Sequence, residues 1–278
     1  MDVDEHTIKL GDSPVYFRSA EPATDAPSLY LHGVPTSSDD WVEFLARTGG
    51  LAPDLIGFGR SGKGEYLDFS LDGLTDFVED FLTEVGIDDV QIVGHDWGAA
   101  VAMKFAHRHP DRVHRLVLCN APALVEGFQW PRFVRWWRIR GLGEMVMGAT
   151  TRTLLTRALR QASVEPSAWP QARIEAVWTQ FDQGTQRAIL RLVRSAEENM
   201  MGAGGPGENG AIGTNGAGTT ADTSLIWGEN DPWYPPALAD AYAARLPGAR
   251  VQRISGAGHW PWLDRPEVVD RVAALLEG

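Results

Sequence analysis

Cysteine is nearly absent. The one thiol, Cys119, allows no intramolecular disulfide, and a reducing compartment suits the chain. Long apolar runs are missing as well: none reaches the roughly 20 residues that span a bilayer. The acidic start MDVDEHTIKLGDSPVYF also lacks the apolar core of a signal peptide. These absences predict a cytoplasmic protein with no membrane partner. Basic charge is in deficit, with Lys+Arg 25 against Asp+Glu 37 and a net charge of −12. A phosphate backbone requires a basic surface, so nucleic acid is not the expected partner. The histidines other than His32 and His259 (His6, His95, His107, His109, His114) show no metal-ligand spacing, and no metal site is expected. No G-x-S-x-G occurs, which argues against a serine esterase. Tryptophan, by contrast, is abundant: 11 Trp stand against 5 Tyr.

Along the chain, short β-branched runs alternate with longer amphipathic stretches. Residues 28–31 read as a strand running into His32-Gly33-Val34-Pro35, 90–93 as a strand, 99–109 as a helix closed by Pro110, and 113–118 as another strand. Residues 71–85 carry Leu74, Phe77, Val78, Phe81, Leu82 and Val85 at helical spacing, with Gly86 placed to cap the C-terminus. This rhythm predicts βαβ units and a parallel sheet. From about Pro122 the strand signals stop, and helices are expected around 131–140, 151–161, 168–181 and 185–200. Residues 202–220 are dense in Gly, Asn and Thr, and such backbone predicts a mobile surface loop. Strands resume at 225–227 and 251–254, with helices at 236–246 and 266–276. One α/β domain, residues 1–121 and 222–278, is therefore interrupted by a helical insert, 122–221, that carries the Gly-rich loop.

The segment Val90-Gln91-Ile92-Val93-Gly94-His95-Asp96-Trp97-Gly98-Ala99-Ala100 is decisive. A strand passes into a helix through Gly94-His95-Asp96-Trp97-Gly98, the pattern of a nucleophile elbow with Asp in the place of Ser. So tight a turn needs positions two before and two after the nucleophile to be nearly side-chain-free, and glycine fills both. The helix N-terminus at Trp97 then aims N–H groups and the positive dipole end at charge beside Asp96. An N-cap aspartate on an ordinary βα turn is the competing reading. The rest of the chain supplies what an elbow requires, in chain order. Gly33 allows a close approach, so the Val34 N–H can join that of Trp97 as a second oxyanion donor. Asp231 follows the strand at 225–227, and His259 lies just after the last strand.

With these residues the chain resembles the α/β-hydrolase superfamily, in particular its aspartate-nucleophile branch of haloalkane dehalogenases and epoxide hydrolases. The resemblance spans nearly the whole core: His-Gly-x-Pro at 32–35, Asp54-Leu55-Ile56-Gly57-Phe58-Gly59-Arg60-Ser61, the elbow, Trp227-Gly228-x-x-Asp231 and Gly258-His259. It implies an α/β class, the α/β-hydrolase fold, with a doubly wound, mostly parallel sheet and the insert as a cap over the site. Some relatives take the triad acid after the strand ending near Leu118, but Cys119 and Asn120 offer no carboxylate there, so Asp231 takes the role. Asp96 would attack an sp³ carbon directly and form an alkyl ester. His259 would activate water against that ester, Val34 and Trp97 amides would hold the oxyanion, and Asp231 would orient His259. This chemistry needs no cofactor, and the expected partner is a small apolar substrate. The sequence carries no sign of oligomeric state.

Dehalogenases and epoxide hydrolases differ in what receives the leaving group. A halide needs N–H donors, whereas an epoxide oxygen wants an acidic O–H, which epoxide hydrolases supply from cap tyrosines. An indole N–H is too weak an acid to serve. The insert has no tyrosine but holds Trp130, Trp136, Trp137, Trp169 and Trp178. Most of these are expected to pack cap against core. Trp130, Phe133 and Trp137 are expected on one helical face, as are Trp178 and Phe181. Trp97 matches the dehalogenases' halide-binding Trp by position, and Trp137 is its chosen partner. The Asn that some dehalogenases place after His-Gly is Val34 here. His-Asp-Trp-Gly-Ala at 95–99 is equally at home among epoxide hydrolases, and Tyr234, three residues past Asp231, could donate to an oxirane oxygen. Dehalogenation is the leading expectation, epoxide hydrolysis the alternative, and a non-catalytic ligand-binding protein on the same fold a minor one.

Overall fold

Two strands that the sequence pattern does not announce open the fold. β1 (Asp4–Leu10) and β2 (Ser13–Ala20) form an antiparallel hairpin at one edge of the sheet. β1 is exposed along most of its length and mixes Asp, Glu, His and Lys, which hides the alternation that betrays a half-buried strand. Such charge also blunts an edge against further pairing. The computed structural model describes residues 1–24, 26–122, 128–196, 219–246 and 248–277.

Next come β3 (Ser28–Leu31), α1 (Val42–Thr48), β4 (Gly50–Pro53), α2 (Leu71–Glu84), β5 (Val90–His95), α3 (Trp97–Arg108) and β6 (Val113–Cys119). The insert follows as α4 (Arg132–Trp137), α5 (Leu142–Gly148), α6 (Arg152–Gln161), α7 (Gln171–Gln180) and α8 (Gln183–Ser195). β7 (Asp222–Gly228), α9 (Ala237–Ala243), β8 (Arg250–Ile254), α10 (Pro261–Asp264) and α11 (Val268–Glu277) complete the chain. Among the described residues eight strands run in the order β1-β2-β4-β3-β5-β6-β7-β8. There the pairings of β2 alone are antiparallel; from β4 to β8 every neighbour is parallel. The fold is thus of the α/β class, a mostly parallel sheet flanked by helices.

β5 sits in the middle of this sheet and all six of its residues are buried, as expected of a parallel strand covered on both faces. α3 buries every residue from Trp97 to Ala106 beside it. α2 starts at Ser70, whose side chain accepts the Gly73 amide at 3.1 Å. It ends as the sequence predicts, at Gly86 with φ +72°: the Gly86 amide reaches the Thr83 carbonyl at 3.1 Å and Ile87 reaches Leu82 at 2.9 Å, a Schellman closure.

In the insert, α6 and α7 fall within the expected helical stretches, and α8 overlaps the one expected at 185–200 but starts two residues earlier, at Gln183. α5 is new: a short helix between Gly141 and Ala149, whose start is capped by Glu144 Oε2 accepting the Gly141 amide at 2.7 Å. α4 corrects one expectation. It begins at Arg132, so Trp130 precedes the helix and does not share its face; Phe133 and Trp137 do pack edge to face at 4.9 Å. Pro131, which stands at the N-cap, sets that boundary. Residues 202–218 of the Gly-rich stretch, and with them its expected mobility, lie outside the described residues. No helix among the described residues is long and apolar enough to cross a membrane.

Candidate active site

Asp96 stands between β5 and α3 with φ 50° and ψ −124°, a backbone conformation that side-chain-bearing residues rarely adopt. The flanking glycines make it feasible. A Cβ on Gly94 would fall 2.6 Å from Ala99 Cα, and one on Gly98 would fall 2.2 Å from the Leu31 carbonyl oxygen. From across the sheet, Gly33 comes so close that a Cβ there would lie 2.5 Å from Asp96 Cβ. That approach lets the Val34 amide donate to Asp96 Oδ2 at 2.9 Å. The Trp97 amide also bonds the carboxylate, and the Tyr234 hydroxyl faces it.

The loop bearing Val34 is braced from below. His32 Nε2 accepts the Leu55 amide at 2.9 Å, so Nδ1 carries the proton and donates to the Gly33 carbonyl at 2.8 Å. Burial holds this imidazole below its ordinary pKa, consistent with a neutral ring. Asp54, wholly buried, accepts Ser38 N, Ser38 Oγ, Arg60 N and Arg60 Nε at 2.6–3.0 Å and pins the neighbouring turn.

His259 Nδ1 and Asp231 Oδ2 lie 2.8 Å apart, both side chains fully buried. Asp231 is held on every side: Oδ1 accepts the Trp233 and Tyr234 amides at 2.7 and 3.1 Å, and Oδ2 also accepts Asn120 Nδ2 at 2.7 Å. Asn120 stands at the carboxyl end of β6 with φ 42°, the strand end where the sequence offers no carboxylate. It contributes an amide that steadies Asp231, a role the sequence reading did not assign. His95 Nε2, beneath the elbow, donates to the His259 carbonyl at 2.8 Å. The other ring nitrogen of His259, Nε2, is buried and has no hydrogen-bond partner among the described residues.

Electrostatics follow from this burial. Desolvation raises Asp96 to a pKa of about 6, against the opposing pull of His259, the two amides and Tyr234. Burial alone would pull His259 down, but Asp231, Asp96 and Asp40 outweigh it and leave the imidazole above its usual 6.5. Burial, then the charge of Asp96, pushes Tyr234 well above 10. Cys119 behaves as a buried apolar residue, its thiol pushed up to about 12.

Asp96 opens into a cavity of about 260 Å³ between the sheet and the insert. Val34, Trp97, Trp233 and Tyr234 line its core side; Trp137, Val146, Leu155 and Phe181 come from the insert. Val34, Trp97, Trp137 and Tyr234 are thus gathered around Asp96. The remaining insert tryptophans do not line this cavity: Trp136 is 56% exposed, Trp169 packs edge-on to Trp260 at 4.8 Å, and Trp130 stacks behind Trp97 at 6.0 Å. Trp178 instead stacks on the wall residue Phe181. Trp233 is an unexpected wall residue, 4.4 Å from the His259 ring; its only sequence signal is a place two residues past Asp231. Among the described residues no group of three or more His, Cys, Asp or Glu could hold a metal ion.

The chain matches the α/β hydrolase fold family over residues 29–266. It is 27% identical to "Uncharacterized protein Rv2715" of Mycobacterium tuberculosis, across 99% of this chain and 84% of that one. It is 24% identical to epoxide hydrolase 1 of Caenorhabditis elegans, across 96% of this chain and 68% of that one. Among solved structures it is similar to the haloalkane dehalogenase DbeA of Bradyrhizobium elkani, with a TM-score of 0.82 and 26% identity over 100% of this chain and 98% of that one.

Proposed function

The chain belongs to the α/β-hydrolase fold family, and from that premise we propose that it is a haloalkane dehalogenase working through a covalent ester on Asp96. One observation carries the reading. A buried carboxylate occupies the strained turn, accepts the Val34 amide at 2.9 Å and the Trp97 amide beside it, and floors an apolar cavity. A serine there would need a base to remove its proton. A carboxylate is already a nucleophile, and it suits displacement at an sp³ carbon.

In the first step a carboxylate oxygen of Asp96 forms a bond to the carbon bearing the halogen. The carbon–halogen bond breaks and its electron pair leaves with the halide. In the second step His259 Nε2, free of other partners, takes a proton from water, and the oxygen of that water adds to the ester carbonyl. The oxyanion sits on the Val34 and Trp97 amides, which already bind Asp96 in the resting enzyme. Collapse expels the alkoxide, which takes the proton back from His259, and the regenerated Asp96 carboxyl releases the second proton of that water. Asp231 keeps the imidazole oriented and stabilises its charged form. Haloalkane and water become alcohol, halide and a proton.

Trp97 and Trp137 share the cavity with Asp96, as two N–H donors to a departing halide should. Residues 122–221 act as the cap that brings Trp137 over the core made of 1–121 and 222–278. Epoxide hydrolysis is the second reading, and Tyr234 favours it because its hydroxyl faces Asp96. Burial and the Asp96 charge hold that proton tightly, however, so Tyr234 is better suited to donate a hydrogen bond than to give a proton away. The test is a paired assay on wild type and Asp96→Asn: halide release from 1-bromobutane and 1,2-dibromoethane, and diol formation from styrene oxide. Halide release lost in the variant supports the dehalogenase. Diol without halide would replace it with an epoxide hydrolase.

A further inference from the structure

Five residues beyond His259, at the end of α10, Asp264 is a buried carboxylate that the chemistry above does not use. Three backbone amides converge on it. Oδ2 accepts Gly258 N at 2.8 Å and Val164 N at 3.0 Å, and Oδ1 accepts Glu165 N at 2.9 Å. Gly258 immediately precedes His259, whereas Val164 and Glu165 belong to the insert, just after α6. The same two segments meet twice more. The His259 amide donates to the Ala162 carbonyl at 2.7 Å, and a Cβ on Gly258 would lie 2.2 Å from that carbonyl oxygen. Ser163 Oγ accepts Trp169 Nε1 at 3.0 Å, and the Trp169 ring packs on Trp260.

The donor set explains the residue type. All three partners are N–H groups, and a carboxylate offers acceptors only, strengthened by its charge. An amide in its place would turn an NH₂ group toward at least one of them. The carboxylate therefore ties the His259 loop to the insert at a node that no neutral side chain of the same size can satisfy.

We propose that Asp264 is a positioning residue: by clamping Gly258 to Val164 and Glu165 it holds His259 Nε2 in place for hydrolysis of the ester on Asp96. The proposal rests on the reading of Asp96 as nucleophile. Ester formation depends on Asp96, Val34 and Trp97, which stand on elements that Asp264 does not hydrogen-bond. Ester hydrolysis depends on His259. Loss of the clamp should slow the second step and spare the first.

The experiment compares wild type, Asp264→Asn, Asp264→Glu and His259→Phe by stopped-flow product release and intact-protein mass, using 1-bromobutane or styrene oxide, whichever the wild type turns over. Asp264→Asn is expected to give a burst of ester formation, an added alkyl mass, a kcat lower by about ten- to a hundredfold, and a KM that falls with it. Asp264→Glu should recover part of kcat. Should Asp264→Asn fail to fold, Glu165→Pro removes one insert-side donor with the carboxylate intact, and it too should accumulate ester. A merely structural Asp264 would lower the melting temperature and the active fraction with no ester above wild type in either variant, while His259→Phe accumulates it; that result overturns the proposal. Absence of ester even in His259→Phe would instead overturn the nucleophile reading on which it stands.

Discussion

At residue 96, burial and chemistry pull in opposite directions. As the proposed nucleophile Asp96 would have to be charged, yet desolvation raises its pKa to about 6. As the proposed base His259 would have to be neutral, and its pKa too is raised above 6.5, with burial outweighed by Asp231 and other carboxylates. Both groups are therefore disabled by protonation. We predict that kcat/KM falls as pH drops through about 6, and that kcat falls over a range set by the raised His259. A rate flat from pH 5 to 8 would contradict both assignments. Trp137→Phe keeps an aromatic side chain in the cavity wall but has no indole N–H. Bromide affinity, read by quenching of the remaining tryptophans, should weaken about tenfold or more, the loss of one hydrogen bond to an anion. Unchanged affinity would remove Trp137 from the leaving-group site.

At the scale of elements, the strand–elbow–helix unit β5–α3 was legible because steric need wrote it into the sequence. Gly94 and Gly98 stand where any Cβ would strike backbone. Gly98→Ala, placing a methyl 2.2 Å from the Leu31 carbonyl oxygen, should cost at least about 2–3 kcal/mol. Denaturant melts would show it, with turnover lost because Asp96 shifts away from Val34. A variant as stable and active as wild type would mean that the turn is looser than its contacts imply. Helix α2 was equally legible, since Gly86 and its spacing encode a local cap. Local signals failed elsewhere for physical reasons. Exposed β1 takes its stability from pairing with β2 rather than from an apolar face. α5 is a single short helix between glycines. Asn120 and Asp264 make hydrogen bonds to residues 111 and 100 positions away in sequence, which no spacing rule can reach.

Over the whole molecule, the order of motifs fixed the core and left the insert open. His32, Asp96, Asp231 and His259 sit at the ends of parallel strands or just beyond them, so their convergence follows from the topology. The helices between β6 and β7 were readable as helices, but which tryptophans reach the cavity depended on their packing. Trp137 lines it, whereas Trp130 is displaced by Pro131 and stacks behind Trp97. The site also burdens the whole fold. A carboxyl raised from 3.8 to about 6 favours the folded state below pH 4, and that contribution is lost as pH rises through about 6. At pH 8 the buried charge opposes folding by on the order of 3 kcal/mol. Asp96→Asn should therefore melt at a higher temperature than wild type at pH 8, and the gain should shrink at pH 5. An equal gain at both pH values would mean that the carboxylate is not destabilised by its site.

Under the proposed mechanism substrate bonds covalently to Asp96, and peptide mass spectrometry of the His259→Phe variant reads that bond. After incubation with 1-bromobutane, a butyl mass is expected on the peptide carrying Asp96, and none when Asp96 is also changed to Asn. An unmodified Asp96 peptide in a folded variant that still binds substrate, or the same adduct on the Asn-bearing protein, would contradict it.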